Sequence, residues 1–185
     1  MISRWGATPE EWDHFSRVLG LTADLLPVVS NPHAKISPCS TLSSLGKTPS
    51  IYNRDRQVIG IPGWTDHVAT PEDIALWSAE PDYGICVITR AIRALDVDVT
   101  DPGMAESILA LCKHMMPGPL ALRRRANSPK FLLAFWVPGV FGKRTMKTAG
   151  GVIEFLADGQ QFVACGTHPS GVRYEWATGR PVIVE

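Results

Sequence analysis

The sequence predicts an α+β protein, a mixed or antiparallel β-sheet with flanking helices. Short runs rich in apolar and β-branched residues recur from Tyr83 onward, and helix-start chemistry appears at three places between them and before them. A length of 185 residues, 45% hydrophobic and 19% charged, then gives one domain over residues 1–185 with enough apolar material for a core. Gly at 16 and Pro at 15 stay below the range of low-complexity chains, which excludes a disordered or fibrous protein.

The elements follow in order. Thr8-Pro9-Glu10-Glu11 supplies a capping hydroxyl, a proline at the first helical position and a glutamate three residues after the cap, so a helix runs from there to about Leu19. Residues Pro27 to Gly63, rich in Ser, Pro, Asn and Gly, read as irregular connections with short strands. Thr70-Pro71-Glu72-Asp73 opens a second helix, to about Ser78. Tyr83–Thr89 and Ile92–Val99 read as strands, and Asp101-Pro102 opens a third helix through about Met115. The pattern then returns to strands at Leu120–Arg125, Lys130–Val137, Val152–Leu156 and Gln161–Cys165, with further strands read at Val172–Trp176 and Val182–Val184.

Charge and cysteine usage narrow the function classes. Eighteen basic residues balance eighteen acidic ones, which argues against a uniformly basic nucleic-acid coat but leaves room for a local basic groove. Cys39, Cys86, Cys112 and Cys165 form no CxxC pair, so neither a zinc site nor a disulfide framework is read. Met1-Ile2-Ser3-Arg4-Trp5 starts no apolar signal region, and Phe131–Gly142 is too short to span a bilayer. A cytoplasmic protein without membrane contact is expected.

The sharpest chemical feature is Asp96-Val97-Asp98 within a strand. Alternation puts Asp96 and Asp98 on one face, roughly 6–7 Å apart at Cα. Two carboxylates so placed repel unless a cation lies between them, and a hard divalent ion would serve. A solvated strand end leading into the Asp101 cap is the other reading. Arg123-Arg124-Arg125 precedes the short turn into Ser128-Pro129-Lys130, where guanidinium, hydroxyl and ammonium groups could surround a phosphate chain; a solvated hairpin end is the alternative. Lys143-Arg144-Thr145-Met146-Lys147 reads as a loop able to touch a nucleic-acid backbone, or simply as a solvated one. Glu154 interrupts an apolar strand, so it faces solvent or meets a cation, and His168 lies in a turn-rich loop.

In this order and spacing the pieces resemble the primase-polymerase domain of the archaeo-eukaryotic primase superfamily, in the form carried by phages and plasmids. The resemblance runs from about Gly46 to Trp176. It rests on Gly46-Lys47-Thr48-Pro49, Gly63-Trp64, Ala69-Thr70-Pro71, Trp77, Tyr83-Gly84-Ile85, Thr89, Leu95-Asp96-Val97-Asp98, Ile153-Glu154 before Ala157-Asp158-Gly159, and Thr167-His168-Pro169-Ser170-Gly171 with Tyr174-Glu175-Trp176. Two departures stand out. The family's Ser-x-His becomes Ser128-Pro129-Lys130, and its hydrophobic-Asp pair becomes Ile153-Glu154.

The resemblance implies an RRM-like catalytic core and template-directed nucleotidyl transfer, as primase and DNA polymerase, by a two-metal mechanism with Mg²⁺ or Mn²⁺. It implies Asp96, Asp98 and Glu154 as the metal-holding carboxylates, and Arg124, Ser128, Lys130 and His168 as nucleotide-binding residues. Single-stranded DNA template, primer and nucleoside triphosphates are the implied partners, with a fused or associated replicative helicase. A metal-dependent phosphodiesterase or nuclease would use the same carboxylates, and a non-catalytic single-stranded-DNA-binding module would use a basic groove with aromatic platforms.

Overall fold

A computed structural model describes residues 4–116 and 118–183. In chain order its elements are helix α1 (Pro9–Asp13), strands β1 (Leu25–Val29), β2 (Ser50–Tyr52) and β3 (Val58–Gly60), helix α2 (Pro71–Ala79), strands β4 (Tyr83–Ile88) and β5 (Ile92–Val99), helix α3 (Pro102–Met115), and strands β6 (Ala121–Arg125), β7 (Ser128–Trp136), β8 (Arg144–Thr148), β9 (Gly151–Leu156), β10 (Gln161–Cys165) and β11 (Glu175–Trp176). The fold is α+β with antiparallel strand pairing in its sheets, as the sequence predicts. The backbone divides into two compact units, one of residues 1–88 with 161–174 and the other of residues 89–160 with 175–185.

In the first unit the local start signals act as read. Thr8 and Thr70 each close a capping box, with Glu11 and Asp73 returning the bond to the cap backbone. Helix α1 is short, because the chain passes into a π-helical turn over His14–Val18. Strand β4 is buried along its whole length between β1 and β10. Strand β1 straddles Pro27, where the stretch read as irregular connections with short strands begins, and β2 and β3 are such strands. Pro27 is tolerated there because β1 is at the edge of its three-stranded sheet, where one side needs no backbone donor. Beside it, the Tyr52 hydroxyl donates to Asp82 Oδ2 at 2.6 Å, and Arg56 lies over the Tyr52 ring while gripping Glu80. Burial, and then the Asp82 bond, pushes the Tyr52 hydroxyl pKa well above its usual value.

The second unit is a six-stranded sheet, ordered β11-β6-β7-β5-β9-β8, with α3 on one face. Asp101 caps α3 by accepting from the Met104 amide at 2.7 Å. Val97, Val99, Phe131, Leu133 and Ile153 pack with Ala105 and Leu109 of α3 to form an apolar core. At the other end of β5, the buried Arg93 pairs with Asp158 at 2.9 Å and donates to the Thr89 and Gly139 carbonyls, tying two loops to the strand. Of the two terminal expectations, only Glu175–Trp176 is a strand in Val172–Trp176; Val182 and Ile183 form none, and Val184 lies outside the described residues. Among the described residues no helix is long and apolar enough to cross a membrane.

Gly151 sets the position of β9. It sits at φ +147° opposite Val99, and a Cβ there would lie 2.0 Å from the Asp98 carbonyl oxygen. Gly151→Ala is therefore expected to cost about 2–3 kcal/mol, through backbone strain and overpacking. Thermal unfolding checks it, with a drop of roughly 5–10 °C expected for a chain of this size.

Candidate active site

The cross-strand register of the second unit gathers the acidic residues. β5 pairs with β9 so that Asp96 faces Glu154 and Asp98 faces Val152, and it pairs with β7 so that Asp96 faces Leu132. Since Val97, Val99 and Ile153 point toward α3, alternation sends Asp96, Asp98 and Glu154 to the opposite face. All three predicted carboxylates thus share one side of the sheet. Directly opposed residues of an antiparallel pair have Cα atoms about 4.5–5.5 Å apart, so Asp96 and Glu154 bring like charges side by side.

Lysines reach this face from both flanks. Lys130 pairs with Asp98, and Lys143 Nζ lies 2.7 Å from Glu154 Oε1. The Thr145 hydroxyl donates to the same oxygen at 3.4 Å. Asp98 is exposed, while Asp96 and Glu154 are half-buried. Among the described residues no three His, Cys, Asp or Glu side chains converge as a metal cage. The donor set nevertheless fits a hard divalent ion, which takes carboxylate oxygens and commonly needs only one or two from the protein besides substrate phosphates.

The basic residues divide differently from the sequence expectation. Arg124 stands opposite Phe131, on the side of the sheet that α3 covers; it pairs with Glu106 of that helix at 2.7 Å and its guanidinium approaches the Phe131 ring. It therefore does not share a face with the carboxylates. Arg123 does. It stands opposite Leu132, in one transverse row with Asp96 and Glu154, and is only 8% exposed. Leu122 marks the core-facing parity of this strand, and that signal was present in the sequence. Ser128 closes the β6–β7 hairpin opposite Arg125, and its hydroxyl accepts from the Lys130 amide at 3.3 Å. The segment read as a loop at Lys143–Lys147 is mostly strand β8, a polar edge strand whose Thr145 is the register partner of Glu154.

His168 belongs to the first unit. Its Nδ1 accepts from the Ser170 amide at 3.0 Å and lies 2.8 Å from the Ser170 hydroxyl, while its ring meets Tyr174 edge-on. The amide contact leaves the ring proton of the neutral form on Nε2. The histidine thereby shapes the turn from His168 to Val172, which its backbone also closes.

The family model for the N-terminal domain of bifunctional DNA primase/polymerases, Prim-Pol, matches residues 23–184. The chain belongs to this family. A comparison with curated proteins gives no match. The Prim-Pol match covers part of the first compact unit, nearly all of the second, and all seven residues that the sequence marks for the site. Family membership points to a nucleotidyltransferase acting on DNA and nucleotides. Within the Prim-Pol chain, the Arg124–Glu106 pair is a surface contact, its side chains 36% and 64% exposed. Arg124→Ala is expected to lower stability by less than about 1 kcal/mol, which urea unfolding would measure.

Proposed function

We propose that this Prim-Pol chain forms one catalytic domain for template-directed nucleotidyl transfer, priming and extending DNA by a two-metal mechanism. The observation that carries the proposal is the register that sets Asp96 opposite Glu154, with Asp98 beside them, in a chain of this family. Asp96, Glu154 and Asp98 would hold Mg²⁺ or Mn²⁺. Bound divalent ions supply charge stabilisation to the entering and leaving oxygens of an in-line displacement.

The chain's own groups do the rest. Lys130 and Ser128 would hold the triphosphate: lysine is a permanent cation where relatives carry histidine, so phosphate binding survives the exchange. Arg123 replaces Arg124 in this role, since only Arg123 shares the carboxylate face. Glu154 keeps the charge of the family's aspartate with one more methylene of reach. Catalysis of this kind is positioning and electrostatics, so no side-chain nucleophile is needed. A nucleotide or template role for His168, the phage or plasmid setting, a cytoplasmic location and a fused or associated helicase are supported by the sequence resemblance.

Primer extension on a single-stranded template with Mg²⁺ or Mn²⁺ tests the proposal. Longer products are expected, and Asp96→Ala is expected to lower incorporation at least about a hundredfold while the fold persists. Shortened primers would instead indicate a nuclease, and metal-independent binding without extension would indicate a single-strand-binding module.

A further inference from the structure

On the nucleotidyl-transfer reading above, a metal ion must enter a face whose carboxylates are already engaged. Lys143 occupies Glu154 from the residue just before β8, and Lys130 occupies Asp98 from β7. These ammonium groups offset the negative charge of Asp98 and Glu154 on the face they share with Asp96. A divalent cation arriving at Glu154 would meet the Lys143 ammonium at ion-pair distance, so the two cations compete for one carboxylate. Lys143 is equipped to leave. Its side chain is 39% exposed, it lies outside the strand, and a lysine is a compact charge on a flexible stem.

We infer that Lys143 is a displaceable counter-ion: it neutralises Glu154 while no metal is bound, and passes to phosphate oxygens of the incoming nucleotide when a divalent cation takes the carboxylate. No bond is made or broken in this exchange; one ammonium changes anionic partners. Lys143 thus serves Glu154 while no metal is bound and the nucleotide once one is. Two consequences follow from linkage. Metal alone binds weakly because it must displace the ammonium, and metal and nucleotide each strengthen the other by the same factor.

The test is Mn²⁺ binding to the whole chain, followed by electron paramagnetic resonance, in the wild type, Lys143→Met, Lys143→Arg and Asp96→Asn. Lys143→Met is expected to bind Mn²⁺ alone roughly tenfold more tightly, and Lys143→Arg, which keeps the charge, to stay near wild type. Titration of a labelled nucleoside triphosphate with and without Mn²⁺ should show a smaller metal enhancement in Lys143→Met. A merely structural lysine would give weaker Mn²⁺ binding when removed, so unchanged or weakened binding in Lys143→Met, with Asp96→Asn impaired, would overturn this inference alone. Equal Mn²⁺ binding by wild type and Asp96→Asn would overturn the metal reading beneath it as well.

Discussion

The antiparallel pairing of β5 with β9 is the constraint on which the candidate site depends. It sets Asp96 against Glu154 while Val97 and Ile153, one residue along, turn into the core under α3. A strand cannot change the exposure of one set of side chains without changing the other, because the period is two. The apolar packing beneath α3 therefore fixes the carboxylates above it. A one-residue slip of β5 would separate the acidic pair and turn Val97 and Val99 out of the core.

That coupling explains why charge repulsion between neighbouring strands is tolerated. Opposed carboxylates weaken a strand pair by an amount of order 0.2–1 kcal/mol, whereas burial of each large aliphatic side chain on the reverse face contributes about 1.5–3 kcal/mol. The core dominates, and the acidic face is left available for a cation. Lys130 and Lys143 moderate what repulsion remains, from opposite flanks of the acidic group. Gly151 allows β9 to approach the Asp98 backbone closely enough for this register to form.

Local chemistry was legible in the sequence, and cross-strand placement was not. The capping hydroxyls of Thr8 and Thr70 and the Asp101 carboxylate act within three residues, so their helices could be read directly. Strand β5 matches its expected span, and its alternation correctly placed Asp96 and Asp98 together. The bounds of strand β1 are not legible in the sequence, because Pro27 looks like a breaker until the strand is known to be an edge. Strand β8 was missed because it carries no apolar alternation and owes its form to pairing with β9. In the run of three arginines, alternation from Leu122 puts Arg124 on the core-facing parity and Arg123 on the other, and the pairing with β7 sets Arg123 in the row of Asp96 and Glu154. The contact of Lys143 with Glu154 is tertiary and left no local trace.

The central claim is that Asp96 and Glu154, from two strands, act as one cation site. Thermal unfolding with and without Mn²⁺ tests it directly in Asp96→Asn, Glu154→Gln and the double variant. An ion bound at a hundred times its dissociation constant stabilises the folded chain by about 2.7 kcal/mol. Each single variant is expected to lose nearly all of the Mn²⁺ stabilisation, and the double variant to lose no more. Independent, additive losses from the two single variants would contradict it.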